Sequence, residues 1–170
     1  MDTTTAATYG KNVDLRGEAG WSDFDAPALV GNSLRFVSGD PQGERFRVRY
    51  YRDAAQQLKA RVWFGPETEG PPGHAHGGSI AAVLDEVLGL TGWAAGHAVV
   101  VANLTVSFRN LLPLQTVVTV ESEVVSVNGR KVLVKGRVFS GSAIYAEAEC
   151  LCIAIRNPEV SDDPIKETNP

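Results

Sequence analysis

Hydrophobic and polar residues alternate over much of the chain after residue 44. Such alternation places every second side chain on one face of a strand, and it predicts an antiparallel sheet with one buried face. The predicted strands span residues 33–38, 44–50, 57–64, 99–109, 117–127, 131–140 and 144–155. Because Asn128-Gly129 is a strong signal for a tight hairpin, we expect the last four strands to form an antiparallel meander.

A helix is predicted over residues 79–95, where the alternation stops. Apolar residues surround nearly its whole circumference, so the helix should be buried on most sides. The order of strands, one helix and further strands predicts an α+β domain in which the helix packs against a curved sheet.

Two acids, Asp85 and Glu86, lie in the middle of this helix. They are about 100° apart around its axis, so they should have different environments. Asp85 shares its face with small residues such as Ala81 and Gly89, which leave space beside the carboxylate. A buried carboxylate must be paired, protonated or functional. The alternative is that one acid pairs with an arginine while the other faces solvent.

The residues at the helix entry, His76-Gly77-Gly78-Ser79, expose backbone N–H groups at a helix start. Together with the positive end of the helix dipole, these groups can hold a carbonyl oxygen that becomes negative during a reaction. The alternative is a simple tight turn with Ser79 as the helix cap. His74 and His76 are spaced like metal ligands, but no third ligand is evident nearby, so no metal is predicted.

Composition and charge exclude several classes of protein. The 170 residues correspond to one domain, residues 33–156, between an N-terminal arm, 1–32, and a polar C-terminal tail, 157–170. A net charge of −4 does not suit a protein that wraps duplex DNA, and no apolar run reaches the roughly 18 residues of a membrane helix. We therefore expect neither a nucleic-acid partner nor a membrane span.

The cellular compartment is predicted from the cysteines and from the start of the sequence. Cys150 and Cys152 share a strand face, where neighbours do not easily bridge, and are interpreted as reduced, buried thiols. The first residues lack the basic and apolar segments of a secretory signal. Both features predict a cytoplasmic protein.

Three segments together resemble the hotdog-fold acyl-CoA thioesterases, specifically the phenylacetate-pathway and thioesterase-superfamily-member type. They read HGGSIAAVLDEVLG, VVVANLTVSFRNLLPLQTVVTVESEV and NGRKVLVKGRV, and the resemblance covers about residues 33–155. It implies a central helix wrapped by an antiparallel sheet. It also implies a homodimer with one continuous sheet, in some members a dimer of dimers, and no cofactor.

The resemblance also implies an active site between two subunits. One subunit supplies the backbone N–H of Gly77 as oxyanion donor, and the other supplies Asp85 as general base or nucleophile. His76 matches the motif histidine, which positions the loop or the substrate carbonyl. Gly78, Ser79 and Asn103 are candidates for binding the substrate.

The sequence departs from the family at two places. Many members carry Asn or Gln where this chain has Gly70, and some carry Thr or Ser where it has Val101 or Asn103. Asn103 can still hydrogen-bond a water or the carboxylate, whereas Val101 cannot.

The predicted reaction is hydrolysis of an acyl thioester of coenzyme A or of an acyl-carrier protein. One alternative is a hotdog dehydratase or hydratase, in which His76 and Asp85 would act together. The other is a non-catalytic thioester-binding protein, which the departures favour. The arginines of the early strands either contact coenzyme A phosphates or a carrier protein, or form the solvated face of the sheet. They are Arg45, Arg47, Arg49, Arg52 and Arg61.

Overall fold

The computed structural model describes residues 13–26 and 35–155, and it has one antiparallel sheet packed against one long helix. The elements are β1 (Ser22–Asp23), β2 (Phe46–Arg52), β3 (Leu58–Phe64), a 3-10 turn (Pro66–Thr68), α1 (Gly77–Ala94), β4 (Val99–Phe108), β5 (Val117–Asn128), β6 (Lys131–Ser140) and β7 (Ala143–Ala154). The order across the sheet is β1-β2-β3-β5-β6-β7-β4. The predicted α+β class is confirmed. No helix in these ranges is long and apolar enough to cross a membrane.

The predicted meander of the last four strands is wrong for β4. β5, β6 and β7 follow one another as expected, and Gly129 takes the positive φ of 54° that the hairpin turn requires. β4, however, pairs with β7 at the edge of the sheet, while β5 pairs with β3. The connection between β4 and β5 does not turn back on itself because it binds the loop before the helix. In particular, the Ala75 N–H donates to the Leu112 carbonyl over 2.8 Å.

The strand predicted over residues 33–38 is also wrong where the structure describes it. Residues 35–38 form a turn, and residues 33 and 34 lie outside the described ranges. The N–H groups of Val37 and Ser38 donate to the carboxylate of Glu86, over 3.0 and 3.2 Å. Because a side chain of the helix satisfies these donors, the segment needs no neighbouring strand.

The inner face of the sheet and one side of α1 form the core. Val83, Leu84, Val87 and Leu88 of the helix are all fully buried. Burying one such side chain contributes about 1.5–3 kcal/mol. The close approach of α1 to β6 depends on Gly136, because a Cβ there would lie 2.9 Å from a methyl group of Leu88.

None of the described residues covers the opposite face of α1 completely. Ala81 and Gly89 are half-buried and Asp85 between them is exposed. Among the described residues only Gly78 and Asp85 of the helix are exposed, so the prediction of a helix buried on most sides is correct except along this stripe. The sheet packs along one side of the helix and leaves a stripe of small residues and one carboxylate open.

The two edges of the sheet differ. Residues 13–26, here called the N-terminal strap, cover the β2 edge: β1 pairs with β2, the Tyr51 hydroxyl donates to the Leu15 carbonyl over 2.6 Å, and Trp21 packs on the Tyr51 ring. At the other edge, β4 has a strand neighbour on one side only within the described ranges. The remaining residues of the predicted arm and all of the predicted tail, 157–170, lie outside those ranges.

The arginines of the early strands bind other parts of the chain. Arg47 is buried and lies over the ring of Trp63, with 4.6 Å between its guanidinium carbon and the ring centroid. The others pair as follows: Arg45 with Glu67, Arg49 with Asp23, Arg52 with the carbonyls of Gln56 and Ala94, and Arg61 with Thr119. These contacts favour a structural role for the arginines, and the predicted solvated face is wrong for the buried Arg47.

Candidate active site

The loop that precedes α1 is held on two sides. The His76 N–H donates to the Thr68 carbonyl over 2.7 Å, and the preceding residue is bound to the β4–β5 connection. Gly70 lies close to the same histidine, since a Cβ at residue 70 would stand 2.7 Å from the His76 Cα. The Asn or Gln expected there from the resemblance would displace His76, which explains the departure in physical terms.

His76 is the N-cap of the helix, which begins at Gly77, two residues earlier than predicted. Its ring Nδ1 accepts a hydrogen bond from the Gly78 N–H over 2.9 Å. An Nδ1 that accepts must be unprotonated, so the neutral ring carries its proton on Nε2. His76 therefore orients the first turn and presents an N–H donor at an exposed position.

Gly77 carries the free backbone donor at the helix start. None of the described residues supplies an acceptor for its N–H, whereas those of Gly78, Ser79 and Ile80 are all bonded to His76. The ring of Phe108, 54% exposed, lies beside this donor, and a Cβ at residue 77 would stand 3.1 Å from it. The site thus combines one oriented N–H with an apolar wall that the sequence reasoning missed. An aromatic residue at the end of a strand gave no sign that it would meet the helix entry.

Asp85 lies farther along α1, on the face that the sheet leaves uncovered. Partial burial raises the pKa of its carboxyl, and the neighbouring charge of Glu86 raises it further. Two turns of helix separate this carboxylate from the free N–H, because eight residues advance a helix by about 12 Å. One thioester carbonyl cannot contact Gly77 and Asp85 of the same chain.

Glu86 has a different environment, as the helical spacing predicted. Its carboxylate accepts hydrogen bonds from the N–H groups of Val37 and Ser38 and, over 2.7 Å, from the Tyr50 hydroxyl. Burial raises the pKa of Tyr50 far above its usual value, and the charge of Glu86 adds to this. Sequence reasoning missed these partners, since they come from segments more than 35 residues away.

The three predicted substrate-binding residues take separate positions. The Gly78 N–H is occupied by His76, and the Ser79 hydroxyl donates to the His76 carbonyl over 2.7 Å. Asn103 follows a bulge in β4 and pairs with Leu151. The flanking residues Val101 and Leu104 pair with Cys152 and Cys150, whose side chains are buried on the inner face of the sheet. Because side chains alternate between the two faces of a strand, Asn103 lies on the outer face.

A pair of thiols lies on β7 near Asp85. Cys150 and Cys152 are buried, with 3.2 Å between their sulfur atoms. The hydrogen bond to Cys152, burial and the charge of Asp85 raise the pKa of the Cys150 thiol. Val101 of the adjacent strand packs toward Gly89, one turn beyond the carboxylate. Within the described residues no group of three or more His, Cys, Asp or Glu side chains could hold a metal ion.

Residues 72–146, which include the helix entry, α1 and the strands behind them, match the family model of the thioesterase superfamily. Over this region the chain is similar to the thioesterase superfamily. A crystal structure of a thioesterase superfamily protein superposes with a TM-score of 0.60 and 29% identity, covering 63% of this chain and 56% of that one. The α+β architecture is the hotdog fold of this superfamily.

Curated relatives share the same region. The acyl-coenzyme A thioesterase THEM4 of Xenopus laevis is 36% identical over 62% of this chain and 49% of its own length. The acyl-coenzyme A thioesterase THEM5 of Homo sapiens is 31% identical over 75% of this chain and 52% of its own. The chain thus spans about half the length of these two curated relatives.

Solved structures extend the fold comparison to bacterial proteins. A Streptococcus mutans protein solved bound to acetyl-CoA superposes with a TM-score of 0.56 and 17% identity, covering 58% of this chain and 81% of that one. At that identity the likeness concerns the fold.

Proposed function

We propose that this protein hydrolyses the thioester of an acyl-coenzyme A across a homodimer interface. The observation that carries the proposal is the free N–H of Gly77 at the start of α1, with a carboxylate of raised pKa, Asp85, on the uncovered face of the same helix. The relatives named acyl-coenzyme A thioesterases, and the fold shared with a protein solved with acetyl-CoA, support the substrate class.

In the proposed reaction the thioester carbonyl oxygen accepts a hydrogen bond from the Gly77 N–H of one subunit. The helix dipole and this donor stabilise the negative charge that develops on the oxygen. Asp85 of the other subunit removes a proton from water, whose oxygen attacks the carbonyl carbon. The bond to sulfur then breaks, and the thiolate takes up the proton to give the free acid and coenzyme A. Direct attack by Asp85 would reach the same products through an anhydride that water cleaves.

A second copy of the chain supplies the missing half of each site in this proposal. The β4 edge is the natural place for it, because an unpaired strand edge recruits another strand and the β2 edge is already covered. Pairing of two β4 strands would continue the sheet from one subunit into the next. The small residues Ala81 and Gly89 leave room for a neighbouring helix or a substrate beside Asp85.

Thiol release from a panel of acyl-CoA and acyl-carrier-protein thioesters tests the activity. Wild-type protein should release thiol from at least one acyl-CoA, and Asp85→Asn should abolish most of that release. Glu123→Gln, an exposed acid on β5, is the matched control and should keep wild-type rates. Binding of acyl-CoA without thiol release would overturn the proposal in favour of a thioester-binding protein, and hydration without thiol release would indicate a hydratase.

Sedimentation of the same preparations tests the subunit arrangement. A dimer at micromolar concentration is expected, and the mass also tells whether two dimers associate. A stable monomer that retains thioesterase activity would contradict the shared site.

A further inference from the structure

We infer that Cys150 and Cys152 are a site of reversible oxidation, at which a peroxide joins the two thiols in a disulfide and thereby slows the reaction at Asp85. Formation of the disulfide does not depend on the activity of the protein, whereas its effect on the rate rests on the proposed function. The structural basis is a pair of thiols in contact on β7, beside the strand that packs against the Asp85 face of the helix.

The two sulfur atoms are already close to bonding distance. They lie 3.2 Å apart, and a disulfide bond measures about 2.0 Å, so the atoms need to approach by about 1.2 Å. Both side chains lie on the inner face of the sheet, because residues two apart on a strand share a face. Their backbones pair in register with β6, Cys150 with Val134 and Cys152 with Val132. The strand thus holds both thiols in one orientation.

The spacing along the strand makes a disulfide at this place easy to reduce again. Cα atoms two residues apart on a strand are separated by about 6.6 Å, near the upper end of the range of about 4.4–6.8 Å that disulfides span. A bridge therefore contracts β7, and strained disulfides are the ones that other thiols reduce readily. The two free thiols of the structure fit a bond that forms only under oxidising conditions.

Small groups separate the thiols from the open stripe of α1. Both thiols are fully buried, so only a small oxidant can reach them. Cys152 pairs with Val101 of β4, and a methyl group of Val101 would be the nearest atom outside the helix backbone to a Cβ at Gly89, at 3.6 Å. The helix has no side chain at this point. A small movement of Val101 therefore admits hydrogen peroxide, which is little larger than water.

The contact between the thiols assigns their roles in the oxidation. The hydrogen bond between them lowers the pKa of Cys152 and raises that of Cys150, while burial and the charge of Asp85 oppose ionisation of both. The Cys152 thiolate attacks one oxygen of hydrogen peroxide, the O–O bond breaks, and the released hydroxide takes up a proton to give water. The sulfur of Cys150 then attacks the sulfenic sulfur, and its proton leaves with the displaced hydroxide as a second water. Two electrons pass from the sulfur atoms to the peroxide.

A bridge alters the part of the sheet that lies beside the helix. In register the two cysteines pair with Val101 and Leu104, on either side of the bulge in β4. Contraction of β7 between them displaces Val101 against Gly89, which lies one helical turn beyond Asp85 on the same face. Since displacement of a catalytic group by about 1 Å can cost about 10²-fold in rate, we expect kcat of the oxidised protein to fall by about 10-fold to 100-fold.

Intact mass spectrometry of the wild-type protein tests the modification directly, since the sequence has no other cysteine. Reduced protein is treated with hydrogen peroxide, quenched with catalase and measured without reductant. The monomer should lose two hydrogen atoms, and dithiothreitol should restore them. Cys150→Ala and Cys152→Ala are matched controls, because the same strand face already carries the buried Ala146 and Ala148. Each keeps one thiol and should not lose hydrogen.

Turnover of the same samples tests the effect on the proposed site. The kcat of oxidised wild-type protein should be lower by about 10-fold to 100-fold and should recover with dithiothreitol. The double variant Cys150→Ala/Cys152→Ala has no thiol and should keep its own rate in peroxide, which separates the disulfide from other oxidative damage.

The outcomes distinguish the two proposals. Two free thiols after peroxide treatment, addition of oxygen without loss of hydrogen, or a disulfide between two chains would each overturn the oxidation site. A disulfide that leaves kcat unchanged would overturn its effect on the reaction. A reversible disulfide in a protein that cleaves no acyl-CoA in either state supports the oxidation site and overturns the proposed function. The wild-type mass decides by itself if the alanine variants do not fold.

Discussion

The Phe108 ring lies against the backbone of Gly77, so that a Cβ at residue 77 would stand 3.1 Å from the ring. The strand that ends at Phe108 is at the edge of the sheet, and the helix that begins at Gly77 starts beside it. A methyl group at residue 77 would require the ring to move by a few tenths of an ångström. It also places an apolar surface next to a backbone N–H that no described residue accepts.

Gly77→Ala should lower kcat by about 10²–10³, because the methyl group enters the space of the thioester oxygen and weakens one oxyanion donor. Stability should change little, since alanine favours a helix by about 1 kcal/mol over glycine and offsets the tight contact. Steady-state kinetics and thermal melts measure the two effects. Full turnover in Gly77→Ala would mean that the oxyanion is held elsewhere.

A double mutant tells whether crowding of Phe108 causes the loss. If the added methyl acts by pushing the ring, Gly77→Ala combined with Phe108→Ala should be no slower than Phe108→Ala alone. If the methyl acts at the oxyanion position, the combined variant should be slower by the same factor as the single change. We expect the second result, because 3.1 Å requires the ring to move by only a few tenths of an ångström.

Asp85→Asn should lower kcat by at least about 10² and leave the fold intact, since the amide keeps the size but cannot act as base or nucleophile. The raised pKa of Asp85 also predicts a stability change. Ionisation of such a group costs more in the folded than in the unfolded chain, so the penalty is present above the folded pKa and absent below the unfolded one. The melting temperature of Asp85→Asn should therefore match wild type in acid and equal or exceed it at neutral pH. A variant that melts lower than wild type at neutral pH would contradict this.

Tyr50 and Tyr51 provide a matched pair of hydroxyl groups on β2. The Tyr50 hydroxyl donates to the carboxylate of Glu86 over 2.7 Å, and the Tyr51 hydroxyl to the neutral Leu15 carbonyl over 2.6 Å. Hydrogen bonds to charged groups contribute about 1.5–3 kcal/mol and neutral ones about 0.5–1.5 kcal/mol. Tyr50→Phe should therefore destabilise the protein more than Tyr51→Phe, as measured by chemical denaturation. Equal losses of stability would mean that the Tyr50–Glu86 hydrogen bond contributes no more than the bond from Tyr51 to a neutral carbonyl.

Local signals in the sequence predicted the elements of the fold but not all of their neighbours. Alternation placed six strands within two residues of their observed ends, because pleating depends on nearest neighbours in the chain. Alternation says nothing about which strand lies beside which, so β4 was expected next to β5 and lies next to β7. At residues 35–38 a short mixed stretch resembled a strand, although its donors are satisfied by Glu86, about 48 residues away.

The same distinction between local patterns and long-range contacts applies to the residues of the candidate site. Glycines at a helix start and a carboxylate among small residues are visible as local patterns, so the sequence offers Gly77 and Asp85 as candidates, and their roles stay predictions. Phe108 and the partners of Glu86 were not found from the sequence, since each contact joins segments that only the folded chain brings together. Nor does the chain by itself bring Gly77 and Asp85 within reach of one carbonyl group.

Subunit exchange tests that last point directly. Asp85→Asn protein keeps the N–H donor, and Gly77→Ala protein keeps the carboxylate, so each homodimer has two damaged sites. If each site takes Gly77 from one chain and Asp85 from the other, a mixed dimer has one intact site and one site with both lesions. Random exchange of equal amounts makes half of the dimers mixed, and activity should recover to about a quarter of wild type.

Two measurements make the result decisive. Mass spectrometry of intact dimers, with one variant carrying a heavy-isotope label, establishes that exchange has taken place. Mixing the label-matched Asp85→Asn protein with itself shows the background rate. Activity that stays at this background despite complete exchange would mean that both groups act within one chain. That outcome would contradict the argument from the roughly 12 Å between Gly77 and Asp85 along α1.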